Sequence, residues 1–148
     1  MILLWLMISL CLTVGFFIAG PRRWTHTSGM IAVAGYVVIA AGALIRWRAI
    51  LQLSSAFTVD VAVSEGQKLK TDGLYKKVRH PSYLGLLLIL TGLSVAMSSP
   101  WSVAVVVIPM ILTISYRINV EEKLLSDEFG EAYARYRSRS WRLLPGIY

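Results

Sequence analysis

Two short polar stretches concentrate the residues able to do chemistry. The first, Gln67 to Tyr83, reads QKLKTDGLYKKVRHPSY, and the second, Arg117 to Glu122, reads RINVEE. Together they hold a histidine, two tyrosines, two arginines, four lysines and three carboxylates. Arg117 and Glu121 stand four residues apart and so share a helix face. Pairing with each other is the plain reading; facing a zwitterionic ligand is the sharper one. An α-amino acid headgroup asks for an anion opposite its ammonium and for cations or amides opposite its carboxylate, and these stretches supply both. The neighbours have plainer roles open to them. Lys77 and Arg79 suit interfacial anchors, Tyr75 and Tyr83 suit an aromatic belt, and His80 before Pro81 suits a helix start satisfied by backbone. Glu121 and Glu122 are harder to assign to the bilayer, because a carboxylate at a span end gains little from headgroups that are often anionic.

The elements that must position these residues follow from where charge is missing. Only 16% of the 148 residues are charged, against roughly 25% in a soluble domain. Met1 to Pro21, Trp24 to Ile45 and His80 to Tyr116 carry none, gaps of 21, 22 and 37 residues. A membrane-spanning helix needs roughly 20 apolar residues, so the first two gaps hold one span each and the third holds two short ones. A soluble globule, a disordered tail and a disulfide-rich secreted domain are excluded. The lone cysteine, Cys11, sits in an apolar run as a small packing residue and has no partner for an internal disulfide.

These gaps predict an all-α integral membrane protein of one domain, with about four transmembrane helices. Residues 1–46 form two spans, about Ile2 to Gly20 and about Gly29 to Ile45. The first is a retained helix rather than a signal peptide, having no basic residue ahead of it and no small-x-small cleavage site. Gly35, Ala40, Ala41 and Gly42 suit the second to close helix packing, permitting a dimer without demanding one. Residues 47–81 form a polar segment, extended over Gln52 to Val63, with turns at Gly66, Asp72-Gly73 and His80-Pro81. Residues 82–118 form a hairpin of two spans, about Ser82 to Met97 and about Trp101 to Arg117, turning at Ser98-Ser99-Pro100 and kinked at Pro109. Residues 119–148 carry an interfacial amphipathic helix with Leu125, Phe129, Ala132, Tyr133 and Tyr136 on its apolar side. The hairpin is what brings His80 and Tyr83 at one end to Arg117 and Glu121 at the other.

Four spans place both termini and the middle segment on one side, with thirteen basic residues there and only Arg22 and Arg23 opposite. That bias predicts a cytoplasmic location for the polar segments, the active site and both termini. The net charge of +7 is then accounted for by orientation and anionic lipid rather than by nucleic acid.

Thr71-Asp72-Gly73-Leu74-Tyr75, then Val78-Arg79-His80-Pro81-Ser82-Tyr83-Leu84-Gly85, then Glu121-Glu122 with Phe129-Gly130 and Tyr133 beyond, resembles the isoprenylcysteine carboxyl methyltransferase family. The resemblance covers roughly Trp47 to Pro145, and phospholipid N-methyltransferases share a looser version. It implies a membrane methyltransferase using S-adenosyl-L-methionine, held by the polar segment and not by a Rossmann fold; no G-x-G-x-x-G follows a strand. The cofactor contacts it implies fall on Gln67, Lys68, Leu69, Lys70, Tyr75, His80, Pro81, Ser82, Tyr83 and Glu121. Glu122 belongs to the motif and is grouped with these cofactor contacts, its own role open; Arg117 is the substrate-carboxylate arginine, and no metal is implied. Gln67 departs from the family's usual His and Lys70 from its usual Val, changes that backbone contacts tolerate and side-chain contacts do not.

The sulfonium methyl is already activated, so transfer needs alignment more than a strong catalyst. A carboxylate acceptor, with a pKa near 4, is ionised at neutral pH and needs no general base. Arg117 would hold one carboxylate oxygen, Tyr75 or Tyr83 would face the sulfonium, and Glu121 would take the ammonium. The partners expected are a lipophilic or prenylated substrate, reaching the site sideways from the bilayer, and membrane lipid. Three other functions fit less well: a phospholipid amine methyltransferase, a fold-related NADPH-dependent reductase using Lys68, Lys70, Lys76 and Lys77, and a non-enzymatic membrane scaffold.

Overall fold

The computed structural model describes residues 2–20, 28–53, 69–97 and 99–147. Among the described residues four α-helices follow in order: α1 (Ile2–Ala19), α2 (Ser28–Leu53), α3 (Pro81–Ala96) and α4 (Pro100–Arg137). A 3-10 turn, Gly73–Lys76, precedes α3. Prolines open α3 and α4: each occupies the first helical position, where the missing N–H costs nothing, behind the non-helical residues His80 and Ser99.

Glycine sets the packing of α2 on α3. A Cβ at Gly42 would lie 2.7 Å from the Gly85 carbonyl oxygen, and one at Gly35 would lie 2.7 Å from that of Gly92. The backbones therefore meet at two levels with nothing between them, the close approach that small residues allow in membranes. At the site end Arg46 of α2 donates to the Ser82 carbonyl and hydroxyl, both at 3.0 Å, which ties the two helices where α3 begins.

α4 presents a stripe at four-residue spacing: Ser102, Val106, Met110, Ile114, Ile118 and Glu122 are all buried. The apolar members pack with Leu4, Ile8 and Cys11 of α1, Leu86 and Leu90 of α3, and Leu143 of the C-terminal tail. Ser102 donates to the Gly15 carbonyl at 2.7 Å, joining α4 to α1. The opposite faces expose large apolar side chains, among them Trp5, Phe17, Val37, Trp47, Ile108 and Leu112. Such a belt suits lipid rather than water.

Several sequence expectations shift. α2 continues to Leu53, so Gln52 and Leu53 are helical rather than extended. The rest of the expected extended run, residues 54–63, lies outside the described residues, as do Gly66, Ser98, Arg22 and Arg23. The fourth span does not end at Arg117 but runs on into the expected interfacial helix, and the only non-helical residue before Arg137 is Gly130, where the helix kinks. Helical angles persist through Pro109; the departure falls at Gly130, at φ 49° and ψ −121°, a conformation open to glycine and hostile to a Cβ. Ala132 is exposed, and Glu122 instead lengthens the buried stripe. By length and composition α2, over Gly29–Leu53, and α4 can cross a membrane, whereas α1 and α3 are shorter apolar helices. Up to the kink at Gly130, α4 is about 45 Å long, against a hydrocarbon core of about 30 Å, so its polar second half extends beyond that core.

Candidate active site

The hairpin of α3 and α4 does what its connectivity requires and closes two distant stretches onto each other. Tyr83, one turn into α3, donates a short hydrogen bond to Oε1 of Glu121. His80 Nδ1 lies 3.6 Å from Oε2 of the same carboxylate, and Arg117 Nη2 lies 3.7 Å from Oε1. Glu121 keeps 22% of its side chain exposed. It is therefore a carboxylate with three polar neighbours and an open side, able to accept a cation from outside. Arg117 is similarly placed, with 18% of its side chain exposed.

Glu122, one residue on, points into the protein. Its side chain is 5% exposed and both oxygens are occupied. Arg79 Nε donates to Oε1 at 2.8 Å, Arg142 donates to Oε2 from Nε at 3.0 Å, and Arg142 Nη2 lies 2.8 Å from Oε2. His80 Nε2 is 3.6 Å from Oε1. The core stripe of α4 turns this carboxylate inward to meet two guanidinium groups. Arg79 is likewise no interfacial anchor, its side chain being 7% exposed.

His80 is thus held between two carboxylates. Burial alone would depress its basicity, but the hydrogen bonds and negative charge of Glu121 and Glu122 outweigh that and raise its pKa above the ordinary value. Tyr75 is buried below the same cluster, its hydroxyl donating to the Ala49 carbonyl at 3.3 Å. Burial, with the charge of Glu121 added, pushes its pKa up to about 12, so it is a neutral phenol at physiological pH.

The remaining sequence candidates are placed as follows. Pro81 is buried at the start of α3, and Ser82 is engaged by Arg46. Leu69 and Lys70 are partly buried at the beginning of the described segment, and Lys70 pairs with Asp72 at 3.0 Å. Gln67 and Lys68 lie outside the described residues.

What sequence reasoning missed is the C-terminal tail. Residues 77–80 and 141–142 run side by side through a parallel bridge between Val78 and Trp141. Arg79 N donates to the Trp141 carbonyl at 2.8 Å, Trp141 N to that of Lys77 at 2.8 Å, and His80 N to that of Arg142 at 3.1 Å. Tyr136 donates to the Tyr75 carbonyl at 2.6 Å. One cue was available: the spacing 106, 110, 114, 118 continues to 122 and marks Glu122 as buried, hence in need of a cation. Nothing in the sequence says that Arg142 is one of the cations that answer.

The geometry can bind a small zwitterion whose ammonium meets Glu121 and whose surroundings include aromatic hydroxyls, beside an arginine able to take a second carboxylate. Comparison with known proteins points the same way. Residues 32–127 match the isoprenylcysteine carboxyl methyltransferase family. Protein-S-isoprenylcysteine O-methyltransferase B of Arabidopsis thaliana is 33% identical over 126 residues, 84% of this chain and 61% of that protein. The Schizosaccharomyces pombe protein-S-isoprenylcysteine O-methyltransferase is 31% identical over 103 residues, 68% of this chain and 44% of that protein. The solved structure of a eukaryotic intramembrane Ras methyltransferase, an isoprenylcysteine carboxyl methyltransferase, superposes with a TM-score of 0.81 at 26% identity, covering 97% of this chain and 52% of that one. The chain spans about half to three-fifths of the length of these relatives.

Proposed function

The chain belongs to the isoprenylcysteine carboxyl methyltransferase family, and from that membership we propose that it is an S-adenosyl-L-methionine-dependent membrane methyltransferase acting on the carboxylate of an isoprenylated cysteine or a similar lipophilic acid. The observation that carries the proposal is the Glu121 carboxylate, partly exposed and framed by Tyr83, His80 and Arg117 at the open end of the α3–α4 hairpin. An acid with a free side beside neutral phenols is the donor set that an α-ammonium group and a sulfonium require, so the residues fit the cofactor. Glu121, Tyr83, His80, Pro81, Ser82 and Tyr75 would hold it, with Leu69, Lys70, Gln67 and Lys68 contributing from the segment before the 3-10 turn. Bound there, S-adenosyl-L-methionine supplies an activated methyl group.

The chain's own residues then have modest tasks. Arg117 orients the substrate carboxylate by charge-assisted hydrogen bonds. That carboxylate is ionised at neutral pH, so no residue needs to remove a proton. Alignment by a rigid hairpin can lower the barrier by several kcal/mol, up to roughly 7–11 for well-oriented groups. The tyrosines keep the site from flooding with water and offer ring faces to positive charge.

The reading extends to the whole molecule. Four spans, with α1 and α3 crossing as short helices beside α2 and α4, place the site and both termini on the cytoplasmic side. The second half of α4 extends out of the hydrocarbon core on the cytoplasmic side, and a prenylated substrate approaches laterally from lipid. The test is a methyl-transfer assay with radiolabelled cofactor in nanodiscs, offering farnesylcysteine analogues and phosphatidylethanolamine in parallel. Labelling of the carboxylate substrate supports the proposal; labelling of the lipid amine alone, or no binding of S-adenosylhomocysteine at millimolar concentration, overturns it.

A further inference from the structure

A carboxylate at the end of an apolar helical stripe is costly unless fully paired. Glu122 is fully paired, and its partners come from two other parts of the chain. Arg79 belongs to the segment leading into α3 and Arg142 to the tail after α4. Arg79 reaches the tail as well, donating to the Arg137 carbonyl at 3.2 Å and to the Ser140 carbonyl and hydroxyl. The backbone bridge between Val78 and Trp141 lies beside this ion cluster. Leu143, next along, is buried in the main core. His80 spans the two acids, 3.6 Å from each, so whatever seats Glu122 also seats the imidazole against Glu121.

We propose that Glu122 is a positioning residue: with Arg79 and Arg142 it latches the C-terminal tail, residues 138–144, onto residues 77–80 and thereby holds His80 and Glu121 in the geometry the cofactor needs. The functional half of this proposal rests on the methyltransferase reading; the latch itself does not. Glu121 meets the ligand, and Glu122 acts through the tail and His80.

A double-mutant cycle tests it, using the full chain in detergent or nanodiscs with Glu122→Gln, Arg142→Met and the double variant. Hydrogen exchange over residues 77–80 and 138–144 reads the latch, and the dissociation constant for S-adenosylhomocysteine reads the site. Each single variant is expected to accelerate exchange in both segments and to weaken binding roughly tenfold, with little further change in the double variant, because either substitution opens the same cluster. The KM for the cofactor should rise more than kcat falls, and Glu122→Asp should restore part of the loss. Arg142, partly exposed, is the milder site and gives a reading even where Glu122→Gln fails to fold. Unchanged exchange in Arg142→Met, or binding losses that multiply in the double variant, overturns the latch. The two failures are distinguishable: wild-type protein that does not bind S-adenosylhomocysteine refutes the methyltransferase reading, while wild-type binding combined with an unchanged tail refutes the latch.

Discussion

Glu121 and Glu122 are identical side chains one position apart, and the helix sends them about 100° apart around its axis. One reaches the open side of the hairpin and the other completes the core stripe. Their replacement should therefore have different signatures. Glu121→Gln removes a charge-assisted contact of about 1.5–3 kcal/mol, so S-adenosylhomocysteine affinity should fall roughly 10- to 150-fold with the fold intact. Unchanged affinity in calorimetry would remove Glu121 from the site. Arg117→Ala should leave cofactor affinity nearly unaltered and abolish the preference for a carboxylate substrate, as read by kcat/KM for farnesylcysteine analogues against their amides. His80 makes a pH prediction. Its folded pKa lies above its unfolded one, so its contribution to stability is fully present below about pH 6.5 and is lost as pH rises through the raised folded value. Thermal melts between about pH 6 and 9 should show Tm falling with pH, and the slope should flatten in His80→Asn.

At the scale of elements, the site depends on helices held at backbone contact. Arg46 reaches Ser82 because the glycines of α2 and α3 let the two axes approach. Gly42→Val would place a Cβ against the Gly85 carbonyl and force the pair apart, which should cost about 1–3 kcal/mol and lower Tm. Binding of S-adenosylhomocysteine should weaken with it, since the start of α3 carries Tyr83; a variant with wild-type Tm would show that the interface is slack. Gly130 is a different case. A Cβ there meets no atom within 4 Å, but φ is +49°. Gly130→Ala should destabilise through backbone strain of about 1–2 kcal/mol rather than through a clash, and the loss should appear in the exchange of the turns after residue 130.

For the whole molecule, the charge distribution makes an orientation claim that can be measured. Cys11 is buried and is the chain's one cysteine, so a Cys11→Ser background leaves the surface free for single labels. Lys77→Cys and Arg139→Cys, exposed positions in the two segments that meet at the bridge, should react with an impermeant maleimide in inside-out vesicles and not in intact cells. Labelling of either from outside would reverse the topology. The exposed apolar belt over α1, α2 and the first half of α4 sets the thickness of lipid the molecule accepts.

Composition and the three charge-free gaps determine that the chain lives in a membrane, and the spacing of the R-H-P-S-Y and E-E stretches determines its family, because both signals are local. The hairpin that joins His80 and Tyr83 to Glu121 is also legible, since two helices and a short turn admit one arrangement. The limits of α2 and the continuation of α4 past Arg117 to its kink at Gly130 are not legible, because polar residues end a span without ending a helix. The division of labour between Glu121 and Glu122 belongs to the tertiary structure alone. It depends on which side of α4 faces the core and on a tail that returns Arg142 to a carboxylate twenty residues earlier. Burial decides it: an inward acid must find its cations wherever the chain can bring them, and sequence spacing carries no record of that search.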